Sequence, residues 1–362
     1  MQTFPFGLPG PTVMYLVLYV LTLAAHWVFA AYVLVGAGYL AFSSAGGRNE
    51  PGDPAARVLG DWLPFFISTA ITLGVAPLLF VQILYQRAFY SANLLLSHRW
   101  MAILPLLIIG FYLLYVIKRR AGRRPNGLDR IVRLIATAVF LFTAYSWTEN
   151  HLLSTRESTW PEFYRKGIPF LADVETFLRL GALVLGAIPV ACMVLVRQVA
   201  ATAGDERAAG STDRMSCLVR LARMALAGLA GATVMGVTYG FVIAANMDPA
   251  ASRELVNRSW PYGVIVAIAC LVSGWMWIQV LLSRGARGGR WTLQLVVTSL
   301  LVTGVAVMRE CLRMVRVDFP ALYDRHAEAA ENGGMIVFLA FAVINAGLIL
   351  WAVQSVRGAV NR

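Results

Sequence analysis

The stretch VMRECLRMVR closes an apolar run and carries Arg309, Glu310, Arg313 and Arg316. The arginines recur at i, i+4 and i+7, which lays three guanidiniums along one face of a helix. Guanidiniums grip carboxylates and phosphates through paired N–H donors. The stripe therefore suits an acidic partner: Glu149 of another segment, the propionates of a haem, or lipid headgroups reached by extended side chains. Glu310 lies about 100° round the helix from Arg309, where it can pair with a neighbouring helix. Glu149 and Glu310 are also groups able to take a proton released by a reaction at a membrane face.

His26 stands about midway along LTLAAHWVFAAYVLVG. A neutral imidazole facing the inside of a helical bundle is either an axial ligand for haem iron or a packed histidine making an interhelical hydrogen bond. The segment GVAPLLFVQILYQRAFY, residues 74–90, places Gly74 and Pro77 inside a span and Gln82, Tyr85, Gln86 and Tyr90 toward its end. A Gly-x-x-Pro interruption frees backbone carbonyls where a cavity or a neighbour can satisfy them. Two readings follow: a quinone pocket with Gln82 and the tyrosines as donors, or a kinked helix end with interfacial aromatics. The other histidines, His98, His151 and His326, fall at span ends or in loops. A second haem ligand would come from His98, His151 or a methionine. Cys192, Cys217, Cys270 and Cys311 have no metal-site or paired spacing, so neither a disulfide framework nor a zinc or iron–sulfur site is expected.

These residues must be positioned by membrane helices. The chain has 362 residues, 59% of them hydrophobic and 14% charged, too apolar for a soluble protein of this size. Runs of about 20 apolar residues, each able to cross a hydrocarbon core of roughly 30 Å, recur along it. Continuous rather than alternating apolar runs exclude a β-barrel. The sequence predicts an all-α polytopic membrane protein, a single bundle domain over 1–362. Nine spans are expected, at about 13–42, 62–86, 100–118, 131–149, 175–197, 217–245, 260–283, 292–314 and 335–356, with residues 87–98 as a short interfacial piece.

The net charge of +12 comes from loop arginines and not from a nucleic-acid-binding surface. Lys118, Arg119, Arg120, Arg123, Arg124, Arg130 and Arg133 crowd one connection against Asp129 alone, and RGARGGR forms another. The positive-inside rule then predicts an outer N-terminus and a cytoplasmic C-terminus, ending on Arg357 and Arg362. The N-terminal MQTFPFGLPGP has no charged side chain, so no cleavable signal peptide is expected. Lys118 and Lys166 are the only lysines, a bias consistent with a high-GC bacterial source and an inner-membrane location. No loop holds a soluble catalytic domain, and no Walker A, GxGxxG, HExxH or nucleophile-elbow motif occurs.

Nine spans, an outer N-terminus, an inner C-terminus and His26 in the first span together resemble subunit I of the cytochrome bd quinol oxidases. That resemblance implies a respiratory electron-transfer subunit, with His26 as a b-type haem ligand and quinol handled at the outer face. Arg309 and Arg313 would hold propionates or an acidic partner such as a periplasmic cytochrome or another respiratory subunit. Glu149 and Glu310 would take the quinol protons. The chain departs from the family pattern in four places. The fifth span, VETFLRLGALVLGAIPVACMVLVRQ, has no histidine, and the third has no acidic residue. The connection NMDPAASRELVNRSW is short, and a GRQPW motif is absent. The resemblance thus implies a divergent member without the oxygen-reducing site. The other class open on the sequence is a non-redox scaffold or a transporter, in which the same charges form an ion-pair lock or line a path.

Overall fold

The computed structural model describes residues 5, 7–45, 53–120, 126–167, 172–201, 211–283 and 291–332, with further helical positions between 336 and 354. Regular structure among the described residues is entirely helical. The helices are α1 (Gly10–Ala45), α2 (Pro54–Leu84), α3 (Gln86–Leu96), α4 (His98–Arg119), α5 (Gly127–Ser154), α6 (Trp160–Lys166), α7 (Val174–Ala201), α8 (Ser211–Asn246), α9 (Pro249–Leu282), α10 (Trp291–Arg316) and α11 (Tyr323–Glu331). Eight of them, α1, α2, α4, α5 and α7 to α10, are long and apolar enough to cross a membrane. The chain is a multi-pass helical membrane protein. These eight overlap the first eight expected spans; six extend a few residues beyond the expected ends, whereas α2 and α9 start well before the expected 62 and 260 and stop just short of the expected 86 and 283. The expected ninth span, 335–356, falls largely outside the described residues, as do RGARGGR, most of the basic run after Arg120, and Arg357 and Arg362. Where that segment is described, the Phe338 ring meets Phe80 edge-on at 5.1 Å.

Local signals set the helix starts. Asp53 caps α2 by accepting from the Ala55 amide at 3.1 Å, with Pro54 in the first turn, where its missing N–H costs nothing. Asn126 and Asp129 form a reciprocal capping box on α5. Asp248 caps α9 ahead of Pro249. The expected interruption of the second span does not occur: α2 runs unbroken through Gly74 and Pro77 and ends at Tyr85. A proline inside a helix removes one hydrogen bond and can bend the axis without ending the helix.

α1 is the hub of the bundle, packing on α2, α5, α7, α10 and α11. α7 and α8 approach closely because α8 presents Gly228, where a Cβ would lie 2.8 Å from the Leu185 carbonyl and 2.7 Å from the Ile188 Cβ. Large apolar side chains such as Met101, Phe241, Leu271 and Leu282 remain exposed on the rim, as a lipid-facing surface requires. Between them lies an apolar core with a polar lock near one end. There Asp53 also accepts from Tyr39 Oη at 2.7 Å and Arg220 Nη2 at 2.6 Å, tying α1, α2 and α8 together. Successive antiparallel passes bring the starts of α1, α4, α7 and α9 and the ends of α2, α5, α8 and α10 to the opposite end, beside α3, α6 and α11. The candidate residues collect there.

Candidate functional site

α10 carries Glu310 about 9 Å inside its end, and the side chain is wholly buried. Its Oε1 accepts from Arg309 Nε at 3.0 Å and Arg309 Nη2 at 2.9 Å. Its Oε2 accepts from Tyr85 Oη at 3.0 Å and Arg313 Nη1 at 3.4 Å. Glu310 thus pairs within its own helix and reaches a neighbour, α2, through a phenol. Tyr19 of α1 closes the set by accepting from Arg309 and, at 3.5 Å, from Arg313. The Arg313 guanidinium lies 4.5 Å from the Tyr85 ring centroid, and Arg309 lies 5.5 Å from that of Tyr19, both within cation–π range. Burial, then the adjacent Glu310 charge, pushes the Tyr85 phenol well above its ordinary value.

The arginine stripe does not act as one unit. Arg313 also donates through Nη2 to His151 Nδ1 at the end of α5. Arg316 turns away to Glu175 of α7, with both contacts at 3.1 Å. Glu175 is shared with Arg156 at 2.7 Å, and Arg156 also pairs with Asp173. Asp173 caps α7 through the Thr176 amide at 2.8 Å. Burial alone would raise the Asp173 carboxyl, but Arg156 and the Thr176 donors outweigh it and hold the group below its usual range.

Glu149, one of the three acidic partners the sequence offers the stripe, pairs with an arginine of another helix. It is fully buried, paired with Arg99 at the start of α4, and accepts from Tyr145 Oη at 3.1 Å. The reason is reach: Glu310 sits beside Arg309 and one turn from Arg313, so it occupies those guanidiniums first. Tyr19, Arg99, Asp173, Glu175 and Arg179 entered no site expectation. The D-x-x-T spelling of Asp173 to Thr176 is a helix-start signal that could have marked that corner.

The four histidines hold their protons differently. The His26 Nδ1 lies 2.9 Å from the Ala70 carbonyl of α2, which can only accept, so Nδ1 carries the proton and Nε2 keeps its lone pair. The ring rests on Gly74, where a Cβ would stand 3.0 Å from it, so a larger residue would require the ring to shift by a few tenths of an ångström. A neutral imidazole oriented through one nitrogen by a backbone carbonyl is the form that ligates a metal through the other. His151 is reversed: Nδ1 accepts from Arg313, so the proton sits on Nε2. His326 has both nitrogens engaged, accepting from Thr12 Oγ1 at 3.0 Å and donating to the Leu84 carbonyl at 3.1 Å. Nδ1 of His98, at the surface, lies 2.9 Å from Ser97 Oγ. His98 and His151 lie at the end of the bundle, whereas His26 is about 10 Å farther along α1 than Tyr19 of the cluster.

Gln82 lies near the end of α2, where its Oε1 accepts from the half-exposed Tyr90 hydroxyl at 3.3 Å and its amide nitrogen stays free to donate. No group of three or more His, Cys, Asp or Glu side chains suited to a metal ion occurs among the described residues. The structure thus brings Arg309, Glu310 and Arg313 into one cluster with Tyr85 and His151. It leaves Glu149, Gln82 and His26 in separate settings.

No protein-family model matches the sequence, and no curated protein is significantly similar to it.

Proposed function

We propose that the chain is an integral component of a bacterial inner-membrane electron-transfer system, with the clustered end of the bundle outside and a quinol as electron donor there. The observation that carries this reading is His26: a mid-span imidazole whose Nδ1–H is fixed by Ala70 and whose Nε2 lone pair is uncommitted. His26 would hold a b-type haem through that lone pair, and the haem would supply one-electron transfer when bound. The chain's own part is to orient the ring, through Ala70 and Gly74, and to half-bury it between α1 and α2. The free amide of Gln82 offers donors to a quinone carbonyl from the membrane side. Glu149 and Glu310 remain the proton acceptors of this reading. Both are engaged, so taking a proton requires one of them to exchange a guanidinium or phenol contact for it.

The saturation of Glu310 by two arginines and a tyrosine favours a second reading, a non-redox membrane scaffold in which the cluster is a structural lock. Haem content separates the two. Protein purified from its native host membrane carries haem under the first reading, and His26→Ala loses it while folding normally. Haem-free native protein supports the scaffold.

A further inference from the structure

Besides Arg258, which pairs with Glu254, and the exposed arginines of the rim, six arginines gather at the clustered end of the bundle, Arg99, Arg156, Arg179, Arg309, Arg313 and Arg316. Four carboxylates answer them, Glu149, Asp173, Glu175 and Glu310. Glu149 serves Arg99, while Asp173 and Glu175 serve Arg156 and Arg316. That leaves Arg179, Arg309 and Arg313 with Glu310 alone, an excess of two positive charges in a largely buried place. Arg179 of α7 forms no ion pair among the described residues and makes one long hydrogen bond, 3.4 Å, to Tyr239 Oη. It stands one turn beyond Glu175 on the same face of α7, the face that meets Arg316 of α10 through Glu175.

The hydrogen-bond inventory is one-sided in the same place. Arg313 and His151 are 3% and 4% exposed, yet Arg313 Nε and His151 Nε2 have no partner. Both atoms carry protons, the first always and the second by the tautomer that Arg313 imposes. The acceptors beside them are spent, since each Glu310 oxygen already takes two donors. Buried donors without acceptors are costly, and so are buried charges without counter-charges. A neutral carbonyl ligand would satisfy the donors and leave the charge; an oxyanion satisfies both. Arg313 and His151 each lie about one turn, roughly 5 Å, inside the end of their helices.

We propose that His151 Nε2–H, Arg313 Nε–H and Arg179 form a binding site for one oxyanion group, a phosphate or carboxylate, between α5, α7 and α10. The assignment is independent of His26 and of any redox role. The test uses the full chain, delipidated in neutral detergent, with thermal unfolding followed against three probes: phosphatidylglycerol, inorganic phosphate, and phosphatidylcholine as the zwitterionic control. Stabilisation by phosphatidylglycerol alone identifies a lipid headgroup as the ligand, and stabilisation by phosphate as well identifies a soluble anion. Either supports the site. In Arg179→Gln, which loses one long hydrogen bond and folds, apparent affinity falls roughly tenfold or more. His151→Ala lowers it similarly. The proposal is overturned if neither anion raises the midpoint above the phosphatidylcholine control. It is equally overturned if both variants bind the anion as tightly as the parent.

Discussion

Glu310→Gln isolates the energetics of the cluster, because it changes one atom and one charge and keeps the side chain's shape. Glu310 is wholly buried and accepts four hydrogen bonds from three side chains. The amide retains one oxygen acceptor and turns the other toward its donors as an NH2 group, against Tyr85 and Arg313 or against Arg309. It also removes the one negative charge that Arg309 and Arg313 share among the described residues. Breaking a buried ion pair from one side costs about 3 to 5 kcal/mol, which shifts the unfolding equilibrium by roughly two to three and a half orders of magnitude. The assay is equilibrium unfolding of purified protein in mixed micelles, followed by tryptophan fluorescence. Replacing the whole set together, as Glu310→Leu with Arg309→Leu and Arg313→Leu, leaves a smaller loss than Glu310→Gln, since apolar substitution of every partner removes the desolvation cost. A Glu310→Gln loss under about 1 kcal/mol refutes the reasoning, because that is the range of an exposed pair.

Two further perturbations test other joints. His326 is buried and neutral between Thr12 and Leu84, and burial holds it below its ordinary value. Its folded pKa is lowered, so its stabilising contribution is complete above the unfolded value, about 6.5. That contribution is lost as pH falls through this value toward the folded one. The unfolding midpoint therefore drops between pH 7.5 and 5.5, and the drop shrinks in His326→Gln; an equal drop in both contradicts the assignment. Gly74→Ala places a methyl 3.0 Å from the His26 ring. It costs about 1 to 3 kcal/mol as an overpacked contact and displaces the ring from Ala70, which lowers any haem retained on purification.

The sequence showed the helices far better than the site. Uninterrupted apolar runs mark spans because a bilayer demands about 20 such residues, and eight of the expected spans are present. The Gly74–Pro77 stretch, a glycine with a proline three residues on, lies inside a helix that continues through it, and Gly74 serves a contact with His26 that its local sequence does not show. The Arg309 and Arg313 cluster was visible in their spacing, but not their partners. Pairing is decided in three dimensions, and Arg99, on a different helix, claims Glu149. The proton positions of His326 and His151 are set by the Leu84 carbonyl and the Arg313 guanidinium, 242 and 162 residues away in sequence, and no local pattern encodes them. The surplus charge around Arg179 emerges only when all six arginines and four carboxylates are placed together.

The most direct test of the proposed function is the absorption spectrum of the oxidised, purified protein before and after a quinol is added. The account predicts that a b-type α band appears on quinol addition and is absent from His26→Ala under the same conditions. A spectrum that stays flat for the parent protein, even with a strong chemical reductant, contradicts it.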